Sequence, residues 1–338
     1  MSASAERVAA AAGIGELAAE AERARTSYGE GALVVCDRLV RIYAVEGIEV
    51  QALQGLDLLI GPRELTAVVG ASGSGKSTLM NILAGLDAPT AGAVRVAGHD
   101  LSAMSPRERL GYRRRVVGFV WQQTARNLLP YLTGAQNVML PLRLNGTGRR
   151  ARRARAGELL GVLGLAHCAD RRPDEMSGGE QQRAAIATAL ANGPALLLAD
   201  EPTGELDSST AVEVFGALQR ANTELGVTVL VVTHDPAVST QVGRTIAIAD
   251  GRTSTETLRR AADGGDGPLS QHAVEYAVLD RAGRLQLPHD MIEPLGMADR
   301  VRLEAEPDHI GVWPDTPGAR EPARDPGRAA GRDLGGPR

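Results

Sequence analysis

The segment that most constrains the fold of this chain is 68–78, whose sequence is VVGASGSGKST. An apolar strand end runs into the pattern G-x-x-x-x-G-K-S, and a helix-like segment follows. Glycines in this pattern let backbone N–H groups converge on phosphate oxygens without a clash from Cβ atoms, and the start of the following helix adds the positive end of its dipole. The segment therefore predicts a phosphate-binding loop between a strand and a helix of an α/β fold.

Lys76 is the only lysine among 37 basic residues. The bias towards arginine is typical of a GC-rich genome, and a lysine retained under it indicates a site where a planar guanidinium does not replace a compact ammonium. A chance survivor is the alternative. In this loop, Lys76 is predicted to reach the β- and γ-phosphates, and Ser77 to give its hydroxyl to Mg²⁺. The residues predicted to bind the nucleotide are Gly70, Ser72, Gly73, Ser74, Gly75, Lys76, Ser77 and Thr78.

A second acidic motif follows an apolar run at 196–201, LLLADE. Its leucines predict a buried central strand, and α/β sheets bind ligands at the carboxyl ends of such strands. We expect Asp200 to hold Mg²⁺ and Glu201 to act as the general base that polarises the attacking water. An acidic turn without a catalytic role is the alternative for this motif taken alone.

A second glycine-containing turn, MSGGEQQR at 176–183, opens a predicted helix about 100 residues after the first. One nucleotide does not obviously need two such turns. The simplest explanation is that Ser177, Gly178 and Gly179 cap the γ-phosphate of a nucleotide held by another copy of the chain. This turn therefore predicts a dimer.

Composition restricts the class of protein. The 338 residues are 43% hydrophobic and 23% charged, a globular balance, and no apolar run approaches the 18 residues of a membrane span. Charges in the first 25 residues argue against a signal peptide. Cys36 and Cys168 lack the spacing of a metal site and are expected to be packing residues in a reducing compartment. The net charge of −4 gives no indication of nucleic acid binding.

Alternating β-rich and helix-like segments predict an α/β core with a largely parallel sheet. The predicted strands lie at 33–36, 65–69, 116–120, 196–199, 227–232 and 245–249. The predicted helices lie near 76–85, 151–164, 179–192 and 208–224. The expected organisation is a weakly ordered extension (1–31), the α/β domain (32–252), a linker (253–271), a small β-rich module (272–314) and a disordered tail (315–338).

The predicted module, 272–314, shows two half-buried hairpin patterns, a small core that favours pairing with a second copy. The sequence DRAGRLQLP at 280–288 resembles the AbrB-like swapped-hairpin domain of bacterial regulators. That family binds DNA, but the four arginines of this module face eight acids, a balance that repels phosphate backbones. We therefore expect a dimerisation or regulatory role and no nucleic acid partner.

The ordered set of motifs over 33–252 resembles the ABC ATPase family. GASGSGKS is similar to its Walker A loop, MSGGEQQR to its signature motif, LLLADE to its Walker B strand, TGELD at 203–207 to its D-loop and VVTHD at 231–235 to its switch strand. The resemblance implies that Tyr43 stacks on adenine, that His234 senses the γ-phosphate and that Asp207 contributes to the dimer contact. It also implies that Gln122 binds Mg²⁺ and takes part in catalysis, and that the same residue links the site to a membrane partner.

This resemblance implies a parallel-sheet core with an antiparallel β subdomain and a helical subdomain. It further implies ATP hydrolysis with Mg²⁺, a homodimer or a heterodimer with a second ABC subunit, and separately encoded membrane permeases at the cytoplasmic face of the membrane. The sequences YAVEGIEVQAL and LLPYLT are similar to those of the lipoprotein-release and macrolide-export branch. Two departures are Glu205 in the D-loop and the longer segment at 124–126.

Several alternatives remain at this point. Tyr43, Gln122 and His234 are each also explained as ordinary structural residues, and the arginine run at 149–155 as a solvated helix face or a contact with anionic lipid. The chain as a whole could be a soluble ABC protein acting on ribosomes or DNA, although it lacks a second cassette and a coiled-coil insertion. It could also be an ATP-responsive transcriptional regulator, which the acidity of 272–314 disfavours.

Overall fold

The computed structural model describes residues 28–45, 47–123, 127–204, 206–234, 238, 241–260, 272–280, 283–297 and 300–314. Several sequence predictions lie outside these residues, namely most of the 1–31 extension, the part of the linker at 261–271, the 315–338 tail, the longer segment at 124–126 and Glu205. The chain divides into two compact units, Met1–Gln286 and Leu287–Arg338.

The strands of the first unit are β1 (Val34–Val45), β2 (Ile48–Ile60), β3 (Leu65–Val69), β4 (Ala91–Val96), β5 (His99–Asp100), β6 (Val117–Val120), β7 (Leu196–Asp200), β8 (Thr228–Val232), β9 (Arg244–Ala249), β10 (Arg252–Arg260) and β11 (His272–Ala277). Its helices are α1 (Lys76–Leu83), α2 (Pro106–Arg115), α3 (Gly134–Leu144), α4 (Arg149–Val162), α5 (Gly178–Leu190) and α6 (Ser208–Leu225). These bounds confirm the four predicted helices and five of the six predicted strands to within a few residues, whereas β1 extends nine residues beyond the predicted strand 33–36.

A seven-stranded sheet forms the centre of this unit, in the order β11-β10-β9-β3-β8-β7-β6. Its strands from β9 to β6 run parallel, whereas β10 and β11 pair antiparallel at one edge. The apolar runs of β7 and β8 are buried because helices and a second sheet cover both faces of the parallel region. The carboxyl ends of β3, β7 and β8 consequently lie side by side.

A second, antiparallel sheet has the order β2-β1-β4-β5. One buried cluster contains side chains of both sheets and of α1, including Leu39 and Leu56 from the antiparallel sheet and Leu79 and Met80 from the helix. The other large cluster contains side chains from α3 to α6 and the opposite face of the central sheet. Helix α1 is therefore held where β3 ends, with its first residue at the phosphate-binding loop.

Helix α4 contains the arginine run. Its buried side is formed by Ala156, Leu159 and Leu160, and Arg149, Arg150 and Arg153 are exposed. The apolar residues recur at helical spacing, so the arginines fall on the opposite face.

Two predicted boundaries were wrong. The predicted linker, 253–271, begins inside β10, since Arg252–Arg260 pairs antiparallel with β9 and contains the buried residues Ser254 and Thr255. The predicted separate module, 272–314, begins with β11, which pairs with β10 as the edge strand of the central sheet. Short polar side chains suit an edge of a sheet as well as a linker, and only the tertiary pairing distinguishes the two.

The second unit contains α7 (His289–Ile292) and the hairpin of β12 (Val301–Ala305) and β13 (Ile310–Pro314). All five β12 residues are exposed. Across the described residues of both units, every helix is too short or too polar to span a membrane.

Candidate nucleotide-binding site

The loop between β3 and α1 depends on glycine at two close approaches. Gly70 has φ 151°, and a Cβ atom there would lie 2.2 Å from the carbonyl oxygen of Ile248. Gly75 has φ 104°, and its Cβ atom would lie 2.5 Å from the carbonyl oxygen of Ala52. Both glycines allow the loop to press against neighbouring strands in a conformation that L side chains rarely adopt.

Lys76 begins helix α1 and is buried, with its Nζ 2.8 Å from the carbonyl oxygens of both Gly70 and Ala71 and 3.4 Å from Ser74 Oγ. The helix N-cap, Gly75, has no side chain to cap the first amides. The N-terminal amides and the ammonium thus provide positive charge at one point of the loop, which suits an anion. Of the other predicted loop residues, Ser72, Gly73 and Ser77 are exposed, Ser74 is buried and Thr78 is half-buried.

Asp200 and Glu201 lie where β7 ends. Burial raises the pKa of the Asp200 carboxyl, the adjacent Glu201 carboxylate raises it further, and Lys76 opposes both effects. Glu201 has φ 46°, a left-handed conformation that costs a non-glycine residue about 1–3 kcal/mol and is concentrated at functional sites. Its N–H donates to the Val232 carbonyl at 2.8 Å, which ties this strained residue to the end of β8.

His234 follows β8 and its ring Nδ1 lies 2.7 Å from Glu201 Oε1. The Glu201 side chain is 14% exposed and that of His234 is 71% exposed, so the pair links a mostly buried carboxylate to an accessible imidazole. The sequence predicted both residues for this site but did not predict that they contact each other.

The second glycine turn forms the start of helix α5. Ser177 is the N-cap, and a reciprocal capping box joins it to Glu180. The hydrogen bond from the Ser177 backbone, helped by His167 at 2.8 Å, lowers the pKa of Glu180 to about 2. Glu180 is a site residue that sequence analysis missed, although a glutamate three residues after a serine is a capping-box pattern.

Asp207 is the N-cap of helix α6 and accepts hydrogen bonds from the backbone amides of Ser209 and Thr210. It also accepts from their hydroxyls, and these side-chain hydrogen bonds are the main reason that the Asp207 pKa lies well below its usual range. The start of α6 packs closely against the start of α5. The space between them is so small that a Cβ atom on Gly179 would lie 2.4 Å from Thr210 Cγ2. The signature turn and Asp207 therefore belong to one packed unit.

Tyr43 donates from its hydroxyl to Asp87 at 2.8 Å, and the guanidinium of Arg41 lies 4.4 Å from its ring centroid. Arg41 also pairs with Asp87 at 2.8 Å. One face of the tyrosine ring is therefore covered, which leaves at most one face for a base.

Gln122 is exposed beyond the end of β6. Asn127 holds the segment that contains it, since its Oδ1 accepts from the Trp121 amide and its Nδ2 donates to the Trp121 carbonyl, both at 2.9 Å. Asn137 holds the next stretch in the same way through its contacts with Leu129. These two asparagines were not predicted, and their only sequence signal is a polar residue at the edge of an apolar run.

The donors predicted for Mg²⁺ are the oxygens of Ser77, Gln122 and Asp200. Hydroxyl, amide and carboxylate oxygens are the ligands that Mg²⁺ prefers. The raised pKa of Asp200 supports the fit, since a divalent cation offsets the repulsion between this carboxylate and its neighbour Glu201.

Another possible ligand group in the described part of the chain is His167, Cys168 and Glu180, with ligand atoms within 4.8 Å of one another. Glu180 already caps helix α5, and burial raises the pKa of the Cys168 thiol. We therefore assign this group a structural role.

Comparison with known proteins adds independent findings. The family model described as "ABC transporter" matches residues 53–204. A lipoprotein-releasing system ATP-binding protein LolD from Geobacter metallireducens is 45% identical over 214 residues, which are 63% of this chain and 94% of that protein. A macrolide export ATP-binding/permease protein MacB from Syntrophobacter fumaroxidans is 46% identical over 221 residues, 65% of this chain. The chain spans only 31% of that MacB protein, about a third of its length.

A solved structure is similar to this chain over 68% of its length. It is described as the dimeric post-hydrolysis state of the ATP-binding cassette MJ0796 bound to ADP and Pi, and the match covers that chain completely, with 39% identity and a TM-score of 0.61.

Proposed function

This chain belongs to the family of ABC transporter ATP-binding proteins, and from that premise we propose that it is the ATP-hydrolysing subunit of a transport complex. One observation carries the proposal: the Lys76 loop, the Asp200–Glu201 pair and His234 follow adjacent parallel strands, β3, β7 and β8, of one sheet. Strand ends in this arrangement bring a phosphate-binding loop, a metal-binding carboxylate and a base to a single nucleotide.

The phosphates of ATP bind to the 70–78 loop. Lys76 exchanges its contacts with two loop carbonyls for contacts with the β- and γ-phosphate oxygens, and the first amides of α1 donate to the same oxygens. Tyr43 stacks on adenine with the ring face opposite Arg41.

Ser77, Gln122 and Asp200 would hold Mg²⁺, which when bound would neutralise phosphate charge. Glu201 accepts the proton of the attacking water and, through its contact with His234, is held at the end of β7. His234, the more exposed partner, contacts the γ-phosphate. The strained backbone of Glu201 supports its role as the general base, because such strain is retained where it serves a function.

Two chains bind two nucleotides between them. The turn formed by Ser177, Gly178 and Gly179 caps the γ-phosphate held by the Lys76 loop of the other chain, and Asp207 lies beside that contact. The partner is a second copy or another ABC subunit. The similar cassette MJ0796 is described as a dimer, which supports this arrangement.

The Gln122 segment conveys the state of the site to membrane permeases encoded by other chains. The LolD relative, which this chain covers almost completely, is named as the ATP-binding protein of a releasing system, and the longer MacB relatives are named as ATP-binding/permease proteins. We therefore place the protein at the cytoplasmic face of a membrane, bound peripherally to such permeases, with no nucleic acid partner.

Changing Glu201 to Gln tests the proposal. Because the base is lost while the loop is untouched, turnover is expected to fall by about 10²- to 10⁴-fold with ATP affinity within about twofold of the wild type. The assay is steady-state phosphate release with nucleotide binding measured separately, and Glu158→Gln on the exposed face of α4 is the matched control. A Glu201→Gln variant that hydrolyses ATP at nearly the wild-type rate removes Glu201 from this role.

A further inference from the structure

The turn between β9 and β10 supports the phosphate-binding loop directly. Asp250 and Gly251 form this two-residue turn with φ of 49° and 70°. The Gly251 N–H donates to the Ser74 carbonyl in the loop at 3.0 Å, and the Gly251 carbonyl accepts from the Gln54 amide at 2.9 Å. One residue of the turn therefore joins the phosphate-binding loop to the antiparallel sheet.

The packing around Gly251 is tight. A Cβ atom there would lie 2.7 Å from the carbonyl oxygen of Ala52 and 2.9 Å from Leu53 Cα, and one on Gly75 would lie 3.5 Å from Gly251 Cα. Such close backbone contacts transmit a displacement of the turn to the loop, because no intervening side chain can rearrange to absorb it.

The other side of this turn contacts residues 278–280 and 283–286. We call these residues the C-terminal segment because they follow the last strand of the central sheet. Gln286 Nε2 donates to Asp250 Oδ2 at 3.3 Å. Asp280 Oδ2 lies 4.0 Å from Arg252 Nη1, next to the turn. The segment thus touches the residues on both sides of Gly251.

The C-terminal segment has its own fixed geometry. Asp280 accepts from the Arg284 amide at 2.8 Å and from Arg284 Nε at 2.6 Å, and Leu279 forms a β-bridge with Leu285. The Val278 amide donates to the Ser254 carbonyl at 2.9 Å, which anchors the segment to β10. Asp280 and Gln286 are therefore held in position opposite the turn.

A cavity of about 380 Å³ separates the C-terminal segment from the turn and from β2. Its lining includes the charged side chains of Asp57, Asp250, Arg252, Asp280 and Arg284. Because the space is not filled by apolar packing, the individual polar contacts of Gln286 and Asp280 make the connection between the segment and the turn.

We propose that the C-terminal segment is a positioning element for nucleotide binding, which holds the Asp250–Gly251 turn and, through it, the phosphate-binding loop. Gln286 and Asp280 act through the turn and touch neither nucleotide nor metal. The predicted effect on ATP binding rests on the proposed function. The stability of the phosphate-binding loop is a property of the nucleotide-free chain, so it is measured without ATP.

The test uses the full chain and a reciprocal exchange. Gln286→Glu replaces the hydrogen bond to Asp250 with repulsion between two carboxylates. Asp250→Asn in the same chain restores a donor opposite the new carboxylate, and asparagine tolerates the left-handed conformation of this position. The matched control is Ala273→Glu, which adds the same charge at an exposed position of β11.

Hydrogen–deuterium exchange of peptides covering 70–79 in the nucleotide-free protein gives the first readout. Exchange should be about 3- to 10-fold faster in Gln286→Glu than in the wild type, the range expected for the loss of one partly exposed hydrogen bond. In the double variant, the exchange rate should return to within about twofold of the wild-type rate. Ala273→Glu should match the wild type. Unchanged exchange in Gln286→Glu, or no recovery in the double variant, overturns the inference.

ATP hydrolysis gives the second readout. The KM for ATP should rise about 3- to 10-fold in Gln286→Glu, while kcat stays within about twofold of the wild-type value. The two constants differ because the loop binds the ground state and the transition state equally well. A KM equal to that of the wild type overturns the inference and leaves the proposed function intact. A wild-type protein without ATPase activity contradicts the proposed function instead, and the exchange experiment still decides the inference.

Discussion

Lys76 occupies an enclosed position in the site. Its ammonium is buried and donates to two carbonyls of its own loop, which the glycines at both ends hold against neighbouring strands. A compact ammonium fits this space as a point charge, whereas a guanidinium is planar and wider. The geometry therefore gives a physical reason for the single lysine in a chain that otherwise uses arginine.

Lys76→Arg is expected to fail almost as badly as Lys76→Ala, although it conserves charge. We expect at least about a 100-fold loss of ATP turnover in both, the size of loss seen when a positioned electrostatic contact is removed. Steady-state phosphate release measures it. The reverse exchange on the exposed face of α4, Arg150→Lys, should have no effect. An arginine variant with normal hydrolysis would show that the lone lysine has no steric cause.

Sequence motifs gave candidate site residues but not their contacts. The motifs predict Lys76, Asp200, Glu201 and His234 for one site, and the structure brings these four residues to one edge of the sheet. The Glu201–His234 contact and the left-handed backbone of Glu201 were not predicted. Both depend on how the ends of β7 and β8 align, and no local pattern records that alignment.

Among the elements, the junction of α5 and α6 is closely packed. The start of α5 carries the signature turn and that of α6 carries Asp207, and they meet where Gly179 faces Thr210. A displacement there moves the turn that we propose binds the nucleotide of the second chain.

Gly179→Ala should destabilise the chain by about 1–3 kcal/mol, the usual cost of inserting a methyl group into a packed contact, and should weaken ATP-dependent dimer formation. Thr210→Ser removes the methyl group that the new Cβ meets while keeping the hydroxyl that donates to Asp207. The double variant should recover most of the stability in urea unfolding. No recovery would show that the crowding at Thr210 is not the cause.

The predicted secondary structure was most accurate in the parallel core and least accurate at its edges. Buried apolar runs such as those of β7 and β8 can be recognised as strands from the sequence, because few other structures bury four or five consecutive apolar residues. The linker predicted at 253–271 overlapped β10, and β11 was assigned to a separate module. Edge strands with exposed, polar residues are defined by their pairing partner, which the local sequence does not specify.

At the scale of the whole molecule, the proposed function gives each chain two halves of a nucleotide site, and these halves serve different nucleotides. The Lys76 loop begins α1, whereas the Ser177 turn begins α5 on the helical side of the core. We therefore expect two chains to associate when ATP is bound and to separate after hydrolysis at Glu201.

The molar mass of the Glu201→Gln protein in solution, measured by light scattering during size exclusion, tests this requirement most directly. With MgATP we predict a dimer, because ATP binds but is not consumed and the removed negative charge no longer opposes closure. Without nucleotide this association should be lost; a protein that is dimeric without nucleotide would instead support the pairing predicted for 272–314. Adding Ser177→Arg, which places a bulky side chain in the signature turn, should keep the protein monomeric with ATP bound. A Glu201→Gln protein that binds MgATP and stays monomeric, or a Ser177→Arg protein that still dimerises, would contradict the account.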